Sequence, residues 1–202
     1  MSDRDAAVGT EVAGYRIDSF VGRGGMSVVY LATSRDGRRV ALKLLASQLS
    51  ENEKFRDRFG RESRVAASLR HPNVVPVFEA GEAGGTLFIA MRYIEGTDLA
   101  RLVRAEGPLS VERTLSIVEQ VAAGLDAAHE AGLVHRDVKP GNILVEPGGE
   151  PGTDHAYLSD FGLTKRALSV SGFTATGELV GTVDYVGPEQ IRGDALDSRA
   201  DV

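Results

Sequence analysis

The segment His135-Arg136-Asp137-Val138-Lys139-Pro140-Gly141-Asn142 places a carboxylate, an ammonium and an amide within one short stretch, and a second acidic turn, Asp160-Phe161-Gly162, follows it. A carboxylate such as Asp137 can accept or orient the proton of a hydroxyl, and Lys139 can neutralise charge on a group being transferred. Asn142 and Asp160 offer the hard oxygen atoms that Mg²⁺ prefers. Together these residue types suit phosphoryl transfer, which needs positioning and charge neutralisation more than covalent chemistry.

Two earlier features extend the set. Val40-Ala41-Leu42-Lys43 puts a lysine in an apolar strand, where an unpaired ammonium is costly to desolvate, so Lys43 calls for an anion. Glu62 has the complementary problem on the apolar stripe of a helix, and the two charges can meet if that helix packs on the sheet. Taken singly, without the neighbouring motifs, each is better read as a surface ion-pair partner. The run Val21-Gly22-Arg23-Gly24-Gly25-Met26-Ser27-Val28-Val29 is a glycine-rich turn whose amides could close over phosphate oxygens, although composition alone fits a ligand-free hairpin as well.

The elements that must position these groups follow from periodicity and turn residues. Residues 15–45 read as three strands separated by turn signals such as Asp36-Gly37. Phe55, Phe59, Glu62, Ala66 and Leu69 recur at helical steps and predict a helix over 51–69, stopped by His71-Pro72-Asn73. Strands are expected at 74–79 and 86–94, joined through Gly84-Gly85. Beyond Ile94 the pattern turns helical, at 97–105 and at 110–131. The second of these helices is opened by Ser110 and closed by Gly132, with Leu115, Val118, Ala122 and Leu125 as its expected buried stripe. The result is an α+β chain: an arm at 1–14, a small lobe at 15–94 with five antiparallel strands and one helix, and a mainly helical larger lobe at 95–202.

Composition narrows the function classes. The 202 residues carry a net charge of -6, which argues against nonspecific nucleic-acid binding. There is no cysteine, hence no disulfide framework or thiolate metal site, in keeping with a reducing cytoplasm. No apolar run approaches the roughly 18 residues needed to cross a bilayer, so no membrane contact by this segment is expected.

In order, the glycine-rich turn, Val40-Ala41-Leu42-Lys43, Glu62, His135-Arg136-Asp137, Asp160-Phe161-Gly162 and Gly187-Pro188-Glu189 resemble the eukaryotic-like serine/threonine protein kinases of bacteria, over residues 15–202. The resemblance implies a bilobal kinase-like fold whose large lobe is incomplete at its C-terminal end. It also implies ATP and Mg²⁺ as cofactors, with Mn²⁺ as the alternative ion, and proteins bearing Ser or Thr as substrates. By the same resemblance Lys43 contacts phosphates and pairs with Glu62, and Val21, Gly22, Gly24, Gly25 and Ser27 form the phosphate-covering turn. Val29, Ala41 and Leu144 enclose the adenine, Met91 guards the back of that pocket, Arg92 to Ile94 offer backbone to the adenine edge, and Asp98 reaches ribose or substrate.

Lys139, two residues after Asp137, marks serine/threonine specificity, and Thr182 bonds to both of them. Thr174 and Thr176 fit autophosphorylation sites, with self-association as the route to modification in trans, and Asp201 ties back to the catalytic loop. The expected location is the cytoplasm, with room for a membrane anchor beyond Val202. An inactive nucleotide-binding relative and an inactive fragment are the alternatives. Two departures stand out: Ser27 replaces the third glycine of the turn, and Gly187 replaces the usual alanine.

Overall fold

The computed structural model describes residues 7–149, 152–161 and 185–202. Its chain divides into two compact units, Met1–Ser68 with Pro76–Tyr93, and Leu69–Val75 with Ile94–Val202.

In the first unit six antiparallel strands run in the order β1-β2-β3-β4-β6-β5. They are β1 (Glu11–Val12), β2 (Tyr15–Gly24), β3 (Ser27–Ser34), β4 (Arg39–Leu45), β5 (Val77–Ala83) and β6 (Thr86–Arg92). Alternation of side chains puts Tyr15, Ile17, Tyr30, Ala32, Val40, Leu42, Phe88 and Ala90 into one core on one face of the sheet. The five expected strands are joined by a short sixth, β1, drawn from the expected arm. Its turn into β2 holds Ala13 and Gly14 at positive φ of 53° and 84°. Helix α1 (Ser47–Ser50) precedes α2 (Glu53–Ser68), which buries Phe55, Phe59, Ser63 and Ala66 and lies against β5.

The expected strand at 74–79 is split. Val74 pairs in parallel with Leu158 of the second unit's own sheet, and the Val75 N–H donates to the Leu158 carbonyl at 3.0 Å. β5 begins only at Val77. Pro76, which has no N–H to give a ladder, stands at the break.

The second unit carries β7 (Thr97–Asp98), α3 (Leu99–Glu106), α4 (Val111–Glu130), β8 (Ile143–Glu146), β9 (His155–Leu158) and α5 (Pro188–Arg192). Helix α3 starts two residues later than expected, because the Asp98 carboxylate caps it by accepting the Arg101 N–H at 2.9 Å. Thr97 and Asp98 instead pair with Val145 and Leu144. Gly96 makes that pairing possible, since a Cβ there would lie 2.0 Å from the Val145 carbonyl oxygen.

Ser110 caps α4 as expected. The buried stripe of α4, however, is Ile117, Val121, Gly124, Leu125 and Ala128. Leu125 was expected there, whereas Leu115 and Val118 are each 55% exposed and Ala122 is exposed as well. Two apolar series share this helix at proper spacing, and close approach selects the one containing Gly124: a Cβ there would come within 2.9 Å of the Asn73 carbonyl oxygen.

Candidate active site

The glycine-rich turn is the tip of the β2–β3 hairpin, where Gly24 pairs with Ser27 and Gly22 with Val29, after a register shift at Val21. Ser27 starts β3 and is not among the residues with positive φ, so a serine sits there without backbone strain. Val29 faces Lys43 across the strands, Lys43 faces Ile89, and Ala41 faces Met91. Cross-strand partners share a sheet face, so Val29, Ala41, Lys43 and Met91 line one surface. Lys43 is only 7% exposed. Glu62 is half-buried on α2, Met91 is buried near the end of β6, and Arg92 is exposed at its last position. In the second unit Ile94 is buried, and half-buried Leu144 sits opposite Asp98.

Residues 135–142 are held chiefly by polar contacts. His135 is fully buried, and its Nδ1 accepts the Asp137 N–H at 3.2 Å. That leaves Nε2 to donate to the Ser159 carbonyl at 2.8 Å. Burial pushes the imidazole below its ordinary range and keeps it neutral, in keeping with this one-donor, one-acceptor arrangement. The Phe161 ring packs on it at 4.8 Å between centroids.

Arg136 has φ of 66°, a conformation that costs a non-glycine residue about 1–3 kcal/mol unless its surroundings enforce it. Both of its peptide groups are held. Its N–H donates to Asp201 Oδ1 at 2.6 Å, and its carbonyl accepts from Gln190 Nε2 at 2.9 Å. The Asp201 carboxylate is enclosed and also accepts the His135 N–H at 2.7 Å, with His129 Nε2 at 2.8 Å. Gln190 in turn accepts the Gly187 N–H at 3.0 Å, which joins the start of α5 to this loop.

With the loop so held, Asp137 and Lys139 form an ion pair at 3.1 Å, largely shielded from solvent. Asn142 ends the turn Pro140–Asn142 and donates its amide N–H to the Asp137 carbonyl at 2.7 Å. Its own carbonyl accepts both the N–H and the hydroxyl of Ser159 at 2.9 Å. Asp160, the next residue, is exposed and takes φ of 59°, which aspartate tolerates better than most side chains. One hydrogen-bonded framework therefore brings together Asp137, Lys139, Asn142 and the backbone that leads to Asp160.

The Asn142 side-chain oxygen and the Asp160 carboxylate make a hard-oxygen donor set that fits a divalent cation such as Mg²⁺. Thr174, Thr176 and Thr182 lie outside the described residues. His129 and Gln190 were not anticipated. His129 could have been suspected as a polar residue in the last turn of a buried helix stripe, but nothing in the sequence points from Gln190 to a carbonyl 54 residues away.

The protein kinase domain family matches residues 15–202. Serine/threonine-protein kinase PknD of Mycobacterium tuberculosis is 47% identical over 203 residues, covering 100% of this chain and 30% of that protein. PknE of the same organism is 46% identical over 196 residues, covering 96% of this chain and 33% of that protein. The chain thus spans about a third of the length of these curated relatives. A crystal structure of the M. tuberculosis PknI kinase domain superposes with a TM-score of 0.80 at 34% identity, covering 98% of this chain and 71% of that one. A structure of Rad53 1-466 in complex with AMP-PNP gives a TM-score of 0.70 at 30% identity, covering 89% and 43%. Agreement of family match, sequence identity and backbone superposition over nearly the whole length means that the chain belongs to the protein kinase domain family.

Proposed function

We propose that the protein transfers the γ-phosphoryl group of ATP to serine or threonine hydroxyls of other proteins. The observation that carries this reading is the framework joining Asp137, Lys139 and Asn142 to the backbone of Asp160. Asp137 accepts or orients the substrate hydroxyl proton, and Lys139 neutralises charge on the transferring group. Asn142 and Asp160 hold Mg²⁺, or Mn²⁺ in its place, and the ion supplies charge neutralisation at the phosphates. Lys43, paired with Glu62, steadies the phosphates on which the turn from Val21 to Ser27 closes. Val29, Ala41 and Leu144 enclose the adenine, with Met91 behind it, the backbone from Arg92 to Ile94 at its edge and Asp98 at the ribose. The AMP-PNP complex of a structural neighbour supports the nucleotide part, and the names of the mycobacterial relatives support serine/threonine specificity.

The family resemblance assigns Thr182 to Asp137 and Lys139, and we propose that Thr174 and Thr176 accept phosphate in trans when two copies meet. Phosphopeptide mapping of the active protein that found neither modified would remove that part. Among the described residues no helix is long and apolar enough to cross a membrane. The cytoplasmic location belongs to this proposal and rests on the resemblance to bacterial kinases, whose ATP is cytoplasmic.

Lys43→Met and Asp160→Asn each abolish transfer while changing stability little, since they remove phosphate and metal contacts rather than core volume. Mg²⁺-ATP raises the melting temperature of the unaltered protein by mass action. A folded protein showing neither a melting shift nor a heat of binding with saturating Mg²⁺-ATP contradicts the nucleotide site.

A further inference from the structure

The strands that carry the glycine-rich turn have a second face. Successive strand residues point to opposite sides, so while Val29, Ala41 and Lys43 share one surface, Val28, Tyr30, Leu42 and Leu44 share the other. Over most of its extent that other surface is sealed, with Tyr30 and Leu42 buried against Ile17 and Phe88. Toward the turn it opens into a cavity of about 420 Å³, within the range of roughly 300–1,000 Å³ usual for small-molecule sites.

Val12, Val28 and Leu44 give this cavity an apolar lining, and Met26 with Gly25 closes it from the turn. The rim is different in kind. Thr10, Ser27, Ser47 and Thr86 supply hydroxyls, and among the described residues Arg23 is the sole charged residue of the lining. In a chain of net charge -6, the charge that the described residues present at this cavity is positive. A guanidinium has five N–H donors, so it can serve a ligand while keeping other bonds.

We propose that this cavity binds a small amphiphilic anion, an acyl chain or similar apolar body seated on Val12, Val28 and Leu44 with its carboxylate at Arg23, and that its occupant braces the glycine-rich turn. The link to the turn is direct: Met26 lines the cavity, and its carbonyl accepts the Ala46 N–H at 2.9 Å, tying the turn to the chain that leaves β4. An occupant packed against Met26 and Gly25 restricts the hairpin tip that covers phosphate on its other face. Binding therefore changes the affinity for ATP, a coupling that rests on the nucleotide role proposed above.

The test uses decanoate below its micelle-forming concentration, titrated into the whole chain by calorimetry without nucleotide. The expected result is saturable binding at one site, abolished when Leu44→Trp fills the cavity and weakened about fivefold or more by Arg23→Gln. 1-Decanol, which lacks the charge, binds more weakly than decanoate. Arg23 is exposed, so the Arg23→Gln arm remains decisive if Leu44→Trp disturbs folding. The Kd for Mg²⁺-ATP, measured with and without saturating decanoate, shifts by about threefold or more. No saturable decanoate binding, or binding indifferent to both substitutions, overturns the site. Decanoate binding with an unchanged ATP Kd overturns the coupling. Saturable decanoate binding in a protein that binds no Mg²⁺-ATP overturns the nucleotide reading and leaves the cavity site standing.

Discussion

In the first unit Ile17, Tyr30, Ala32, Val40, Leu42 and Ala90 fill one face of a sheet with apolar side chains, and ladder bonds do the rest. In the second, residues 135–142 are held by a carboxylate, a histidine and two side-chain amides acting on backbone groups, with a second histidine on that carboxylate. An apolar core is redundant, since each side chain touches many others and losing one leaves the rest in register. The polar hub is not redundant. Asp201 alone satisfies the backbone N–H groups of His135 and Arg136 and meets a histidine, so the backbone that leads into Asp137 leans heavily on one side chain.

The sharpest way to break this contrast is a pair of substitutions of similar cost. Asp201→Ala strands buried donors and is expected to cost about 3–5 kcal/mol, as removal of one member of a buried charged network does. Leu42→Ala, at a fully buried position, is expected to cost about 2–5 kcal/mol. The account predicts that kcat falls on the order of 100-fold in folded Asp201→Ala, because small displacements of catalytic groups are that costly. Folded Leu42→Ala keeps most of its kcat. Hydrogen exchange at the His135 and Arg136 amides rises in the first variant alone. Equal kcat in the two variants would dissolve the distinction.

pH probes the same contrast from both ends. His135 is buried neutral, with its folded value pushed down from about 6.5 by desolvation. Below about pH 6.5 the unfolded chain binds a proton that the folded chain refuses, so this part of stability is lost as pH falls. Tyr15 lies in the first unit, where burial and the Glu79 carboxylate, 2.8 Å from its hydroxyl, push it up to about 12. The unfolded phenol ionises near 10, so Tyr15 contributes stability that is full below about pH 10 and lost between there and about 12. Denaturant titrations across pH should show His135→Asn flattening only the acid limb and Tyr15→Phe only the alkaline limb, each limb having a slope of at most about 1.4 kcal/mol per pH unit.

The smallest expected effect concerns the β1–β2 turn. Ala13 occupies a left-handed conformation, and Ala13→Asn should raise stability by about 1 kcal/mol, read as an increase in denaturation midpoint. A decrease would mean that the turn is not under the strain its dihedrals imply.

What could be read in advance follows the same division. Asp137, Lys139, Asn142 and Asp160 stand out because acids and amides clustered in a short segment have few inert explanations, whereas Lys43 taken singly reads as a surface ion-pair partner and gains weight only from its order among the other motifs. Most strands of the first unit were legible because alternation has one phase per face, whereas β1 is too short to show alternation and the break at Pro76 moved β5. The stripe of α4 was misplaced because both 115/118/122 and 117/121/128 obey helical spacing, and only the nearness of Asn73 to Gly124 selects between them. Asp98 looked like a ligand contact, yet its carboxylate also caps α3, a local role that Asp at a helix start always makes plausible. Gln190 was invisible because its partner is a distant carbonyl, which leaves no local pattern, and His129 offered only its place in the last turn of α4, with nothing local to name Asp201 as its partner.

The central claim is that Asp137, fixed by this hub, serves transfer of phosphate to hydroxyl groups. Its most direct test is incubation of the protein with γ-labelled ATP, Mg²⁺ and a generic protein substrate, beside Asp137→Asn, followed by phosphoamino-acid analysis. The account predicts label in phosphoserine and phosphothreonine with the unaltered protein, and a loss of at least about 100-fold in Asp137→Asn with its melting temperature and Mg²⁺-ATP affinity retained. Equal labelling by the two proteins, or none by an unaltered protein that binds Mg²⁺-ATP, would contradict it.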